Sequence, residues 1–321
     1  DAIEAVQNAR AAYLETGKSS EFASWVKTLD FVDISTAELE NDVYTAAENQ
    51  LAQNKSDAAL VALVDYINTY PNGLHATKAY FNVAEIYFGK DNVNEAKTNY
   101  ENVLKRGKSE YSEPSLMRLS NMYLTANDEV NAKRVLTQLE TEASNDSNKL
   151  FAQSNLMKLA FDADDMTTAA KYANSLAANT KVDKRIKADA TAISARVAFV
   201  NKDTATARKL YEQLNGIATG ELKAEALYYD AYFKNADKKY DASNKVVEKL
   251  VKEYAAYKYY NAKGLVVLAK NFYQLKDSYQ ATYVLENVIA SATDFTDVVT
   301  EAKAELAKIK TEEAKRNSSV K

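Results

Sequence analysis

Apolar positions recur along this chain three and four residues apart, in stretches of about a dozen residues separated by short polar breaks. That period places the apolar side chains on one face of an α-helix. In "AYFNVAEIYFGKDNVNEAKTNY", Ala79 to Tyr100, one face is marked by Tyr80, Ala84 and Tyr87. A second face follows the break, marked by Ala96, Tyr100 and, just beyond, Val103. The stretch therefore predicts two helices joined by a tight polar turn.

The same design returns throughout. Copies begin near residues 3, 40, 77, 113, 150, 188, 224 and 262, in steps of roughly 35 to 38 residues. In the second helix a small residue recurs at Ala59, Ala96, Ala132, Ala169, Ala207, Ser243 and Ala281. In the first helix Ala47, Ala84, Ser120, Ala195, Ala231 and Ala269 hold the matching place. Small side chains let two helices approach closely where they cross, and a larger one wedges them apart. The copy at Gln153, Met157 and Ala160 is a weaker match, that at Leu227 and Ala231 is irregular, and that at Val6, Tyr13 and Gly17 is degenerate. Breaks such as "TANDEVN", "VNKDTAT" and "QLKDSYQ" divide first helix from second.

Composition narrows the class. Seven Gly and two Pro in 321 residues are too few for the turns of a sheet protein and suit long helices. Lys plus Arg number 41 against 45 Asp plus Glu, a net charge of −4, so no basic excess exists to neutralise nucleic-acid phosphates. No apolar run is long enough to span a membrane. Cysteine is absent, which excludes disulfides, thiol nucleophiles and thiolate metal sites.

In register and residue type the copies resemble the tetratricopeptide repeat, W-x2-L-G-x2-Y followed by Ala, an aromatic, Ala and Pro. The resemblance covers about residues 1 to 290. It departs where the family glycine is replaced by Ala, Ser or Met, and where the closing proline survives only as Pro71. It implies an all-α, right-handed α-solenoid of about eight helical hairpins plus a C-terminal capping helix. The expected organisation is a single array over 1–321, with a degenerate first repeat at 1–38, repeats at 39–294, and cap and tail at 295–321. Val298 to Asn317 has the cap's pattern, with Leu306 and Ile309 facing the last repeat and "SSVK" as a frayed tail. The N-terminal stretch shows no matching polar cap, so the array is expected to extend upstream of Asp1. "SWVKTLDFVDIS" (24–35), "TYPNG" (69–73) and "EYSEP" (110–114) further resemble long repeat proteins of Gram-negative envelopes. That likeness implies a periplasmic or envelope location, with the cytoplasm as the alternative.

Motifs for catalysis are missing. The only histidine, His75, has no second His or Cys to share a metal and reads as structural. Asp162 to Asp165 lacks the Gly and distal Glu of a calcium loop and falls at a turn between helices. No phosphate loop, nucleophile elbow or HExxH appears. The expectation is a non-enzyme without cofactor or metal. Tyrosine clusters at Tyr228–Tyr229 and Tyr257–Tyr260 read first as core and rim, and second as stacking platforms.

The resemblance also implies where a partner binds, namely along the row of first helices. Carried onto this sequence, the family's groove positions give Tyr44, Phe81, Met117, Ser154, Ala192, Tyr228 and Val266 in one column. A second column holds Glu48, Glu85, Asn121, Lys158, Arg196, Tyr232 and Lys270, and Phe88 is placed beside them. The Lys–Asn pairing by which some relatives hold a peptide carboxylate is absent. The second column runs from acidic to basic, a polarity that would orient an extended partner. The implied function is a protein–protein interaction scaffold binding protein or peptide segments. Two alternatives stay open: a glycan-binding envelope protein, for which Trp25 is the one tryptophan, and a docking arm of a longer protein whose activity lies upstream.

Overall fold

The computed structural model of the protein describes residues 2–319, with side-chain surroundings through Arg316. Helical hairpins follow one another along the chain. They are α1 (Ala2–Glu15) with α2 (Ser19–Val26), α3 (Thr36–Ala52) with α4 (Ser56–Thr69), α5 (Ala76–Gly89) with α6 (Val93–Lys105), and α7 (Ser112–Thr125) with α8 (Glu129–Glu142). Then come α9 (Asp146–Asp162) with α10 (Met166–Ala178), α11 (Lys184–Val200) with α12 (Thr204–Ile217), α13 (Gly220–Ala236) with α14 (Tyr240–Glu253), and α15 (Lys258–Gln274) with α16 (Ser278–Ser291). A last helix, α17 (Thr296–Ser319), follows the eighth hairpin. This is the all-α helical-repeat architecture that the periodicity predicts. By internal packing the chain forms two compact units, one up to Ala152 and one from Gln153 onward.

One turn design serves every hairpin. Each first helix ends on a residue in the left-handed conformation: Gly17, Asn54, Asp91, Asn127, Asp164, Lys202, Lys238 and Lys276. At α7 the Asn127 N–H donates to the Leu124 carbonyl at 3.2 Å, and the Asp128 N–H reaches back to Tyr123 at 2.9 Å. These two bonds satisfy carbonyls that a helix end otherwise leaves open. Asp128 then starts the next helix, its carboxylate accepting from the Asn131 N–H at 3.2 Å. Asn92, Asp165, Asp203 and Asp277 cap their helices in the same way. The polar breaks in the sequence are thus a helix stop and a helix start sharing two residues.

The small residues lie where helices cross. Ala59, Ala96, Ala132, Ala169, Ala207, Ser243 and Ala281 are all fully buried, as are Ala47, Ala84, Ser120, Ala195, Ala231 and Ala269. In the irregular seventh hairpin Ser243 takes the alanine place and donates to the Ala231 carbonyl at 2.8 Å. Its hydroxyl also accepts from buried Asn271, whose amide bridges to Asn235 and Asn244. The irregularity is a satisfied polar network, which costs little when every member is paired.

At the C-terminal end Val298, Ala302 and Ile309 of α17 are buried against α15 and α16, with Leu306 packed beside them. The helix continues through Ser319, past the point where the sequence suggested fraying, and Val320 and Lys321 lie outside the described residues. At the other end α2 is only eight residues long, held by Phe22 and Val26 in the core and by Tyr13 and Trp25 around them.

Candidate functional site

The odd-numbered helices present the faces on which the groove columns were expected. Much of the first column is core. Tyr44 and Tyr228 are 1% and 6% exposed, and Ser154, Ala192 and Val266 are buried with them. Tyr44 is enclosed by Tyr66 and His75, and Tyr228 by Tyr229 and Tyr260. Tyr44 and Tyr228 are therefore corrected from ligand-facing to packing residues. The Tyr44 ring lies against His75 at 4.3 Å between centroids, nearly parallel. His75 also bonds Asn41 through its ring at 3.2 Å and Tyr66 through its backbone N–H at 3.0 Å, and a structural role accounts for it. Phe81, half-buried, leans on Tyr111 at 5.2 Å, and Met117 is half-buried.

The second column forms ion pairs between neighbouring first helices. In the first unit Glu48 pairs with Lys78, and Glu85 holds Arg118 through two bonds of 3.2 and 3.1 Å. Tyr44 donates to Glu48 at 3.2 Å, and Tyr100 donates to Glu85. Phe88, at the edge of exposure, carries the Arg118 guanidinium over its ring at 4.2 Å. Asn121 is exposed and turns back to the Met117 carbonyl at 3.0 Å. In the second unit Lys158 pairs with Asp189 at 2.6 Å, Arg196 with Glu225 at 2.8 Å, and Lys270 with Glu301 at 2.6 Å.

Each charged member of the column thus meets an opposite charge one helix on. The expected change from acidic to basic groove is cancelled locally, because Glu48 and Glu85 are answered by cations and Lys158, Arg196 and Lys270 by carboxylates. Lys78, Arg118, Asp189, Glu225 and Glu301 were not singled out from sequence. Their signal was an opposite charge about one repeat downstream, readable only once the helix faces were known.

Arg196 and Glu225 form the most buried of these contacts. Glu225 is 1% exposed and also accepts from the Tyr211 hydroxyl at 3.1 Å. Burial, and then the Glu225 charge, push the Tyr211 phenol up. Tyr211 stacks on Tyr229 at 3.8 Å, and Tyr232 meets the Phe199 ring at 5.6 Å. Of the tyrosines singled out in the sequence, Tyr229 reaches this ion pair through Tyr211, whereas Tyr259 donates to Asp297 at 2.8 Å and Tyr257 lies against Tyr254.

An opening remains on the same row. A cavity of about 200 Å³ lies among α9, α11 and the start of α13. Phe161, Ala192, Ile193 and Leu222 give it apolar walls, and Lys158, Asp189 and Arg196 rim it. No group of three or more His, Cys, Asp or Glu placed to hold a metal occurs among the described residues. Asp164 and Asp165 serve the α9–α10 turn, the latter accepting from the Thr168 N–H at 3.1 Å. Among the described residues no helix is long and apolar enough to cross a membrane.

Repeating hairpins with a shared turn, buried small residues and a polar row of first helices define a helical-repeat protein. No family model matches the sequence, and no curated protein matches it. Among solved structures, the C-terminal part of a repeat-containing protein from Cytophaga hutchinsonii is 12% identical, covers 80% of this chain and 98% of that one, and gives a TM-score of 0.51. A tetratricopeptide repeat protein from Parabacteroides merdae is 11% identical over 82% of this chain and 98% of its own, with a TM-score of 0.42. The fold of this chain is that of the tetratricopeptide-repeat proteins.

Proposed function

We propose that the protein is a non-catalytic interaction scaffold of a bacterial cell envelope, holding an extended segment of a protein partner along its first helices. The observation that carries this reading is the cavity among α9, α11 and α13, with apolar walls and a rim already locked by the Lys158 and Arg196 ion pairs. A site whose side chains are held before binding loses little freedom on capture. Its volume, about 200 Å³, suits one apolar side chain. The envelope assignment rests on the sequence stretches at 24–35, 69–73 and 110–114 and on the absence of cysteine.

Charge reversal at Lys158 or Arg196 is a poor test, since it breaks the pairs that hold the helices together. Leu222, half-buried at the cavity edge, is the better position. Random dodecapeptides displayed on phage should be selected by the wild type and not by Leu222→Glu. Equal selection by both proteins would refute the site. Fractionation of native cells, with the protein found in the cytosol, would refute the envelope assignment.

A second reading, glycan binding, is favoured by one feature. On α16 the rings of Tyr279 and Tyr283 are 74% and 56% exposed and lie within 13° of parallel. Exposed parallel rings offer flat apolar faces to a sugar. Trp25 packs on Tyr13 and Phe22 and remains 39% exposed. Loss of glycan-array signal in Tyr279→Ala would support this reading, and an array without signal would end it.

A further inference from the structure

The ladder of ion pairs in the second unit misses one step. Between α9 and α11, α11 and α13, and α15 and α17, a cation on the upstream helix meets a carboxylate on the next. Between α13 and α15 the upstream place is taken by Tyr232, a phenol where the other steps carry Lys or Arg. The downstream place is taken by Lys263. Counted from the left-handed turn residues Lys202, Lys238 and Lys276, Lys263 stands in the register of Asp189 and Glu225 with the sign reversed.

Lys263 has no carboxylate partner among the described residues. Its ammonium lies 5.0 Å from the Tyr228 ring and 5.3 Å from the Tyr259 ring. It donates to the Tyr259 hydroxyl at 3.4 Å, and that hydroxyl donates in turn to Asp297 at 2.8 Å. The side chain is half-buried and its position is set by aromatic faces. A cation so placed is partly shielded from water, which strengthens its attraction for an arriving anion. Lys158, Arg196 and Lys270 would each first have to give up an internal carboxylate.

We propose that Lys263 receives a carboxylate side chain of the partner segment, completing the missing step of the ladder. The inference rests on the reading that an extended segment lies along the first helices, and it specifies that segment. Packed helices stand 8–10 Å apart, so α11 and α15 are separated by about 20 Å. Extended chain covers about 3.3 Å per residue. A segment with an apolar residue in the cavity at Ala192 and Leu222 therefore places its Asp or Glu about six residues away.

The test uses phage-displayed random dodecapeptides on the wild type, Lys263→Met, Lys263→Arg and Leu222→Glu, followed by fluorescence titration of the selected peptides. Wild type should enrich an Asp or Glu about six positions from a Leu, Ile, Met or Phe. Lys263→Met should weaken binding about tenfold while Lys263→Arg retains it. Exchanging the peptide's Glu for Gln should weaken wild type by the same factor and leave Lys263→Met unchanged. Peptides that depend on Leu222 but show no acidic preference, or bind Lys263→Met equally, would overturn this inference and leave the scaffold reading intact. Failure to enrich any peptide would overturn both.

Discussion

Arg196 on α11 and Glu225 on α13 bind each other at 2.8 Å in a place where the carboxylate is almost wholly shut off from water. The guanidinium is less enclosed, its side chain 30% exposed; it donates to both Glu225 oxygens, and the Tyr211 hydroxyl donates a third bond to the same carboxylate. The pair joins two repeats and also fixes the rim of the cavity.

Removing one partner leaves the other charge buried. Arg196→Met should cost about 2–4 kcal/mol, toward the low side for a buried pair because the arginine keeps some water. Replacing both, as Arg196→Met with Glu225→Leu, should cost less than Arg196→Met alone, since no charge is then stranded. Urea titrations of wild type, Arg196→Met, Glu225→Leu and the double variant decide it. Additive losses would mean that the two groups are not coupled.

The turn residues make a second prediction. Lys202, Lys238 and Lys276 hold φ of 62°, 62° and 70°, a conformation that costs an L-residue about 1–2 kcal/mol. Glycine avoids that strain but loses about 0.5–1 kcal/mol of chain entropy. Lys276→Gly should therefore raise stability by about 0.5 kcal/mol, whereas Lys276→Val, branched at Cβ, should lower it by more than that. A melting series in which valine equals lysine would contradict the turn geometry.

Overpacking tests the crossings. Ala96 and Ala281 are fully buried where second helices meet their neighbours. Ala96→Trp or Ala281→Trp should destabilise by 3 kcal/mol or more, beyond the ordinary ~1–3 kcal/mol of overpacking, because indole cannot fit without parting the helices. Ala126, exposed at the end of α7, is the control position and should accept a larger residue at little cost. Melting temperatures equal to wild type in both tryptophan variants would refute the register.

These contrasts show what could be read from sequence. The small-residue columns were legible because alanine at a fixed interval has one physical use, close approach. The turns were legible because Asn or Asp before Asp stops one helix and starts another, as at Asn127 and Asp128. The functional row was less so. Tyr44 and Phe81 occupy the same column, yet only Tyr44 is sealed by its neighbours. Glu85 and Lys158 share a register with opposite charge, and each is neutralised from the next helix. Pairings of that kind depend on reach between helices, which periodicity within one helix does not encode.

Glu113 provides a prediction in pH. It lies at the start of α7, and its carboxylate accepts from the Ser144 N–H at 2.8 Å, the Ser144 hydroxyl at 2.6 Å, the Asn145 N–H at 3.2 Å and the Asn148 amide at 2.7 Å. The group thereby ties the start of α9 to α7. Burial pushes the acid up, but the bonds from Ser144, Asn148 and Asn145 outweigh it and hold Glu113 at about 2. A carboxyl whose folded value is depressed contributes stability above its unfolded value, near 4.5, and loses it as pH falls toward 2. Wild type should therefore melt above Glu113→Gln at pH 7, and the difference should shrink steadily below about pH 4.5 and be small near pH 2. A gap that stays constant over that range would show that the carboxylate charge is not what holds α9 in place.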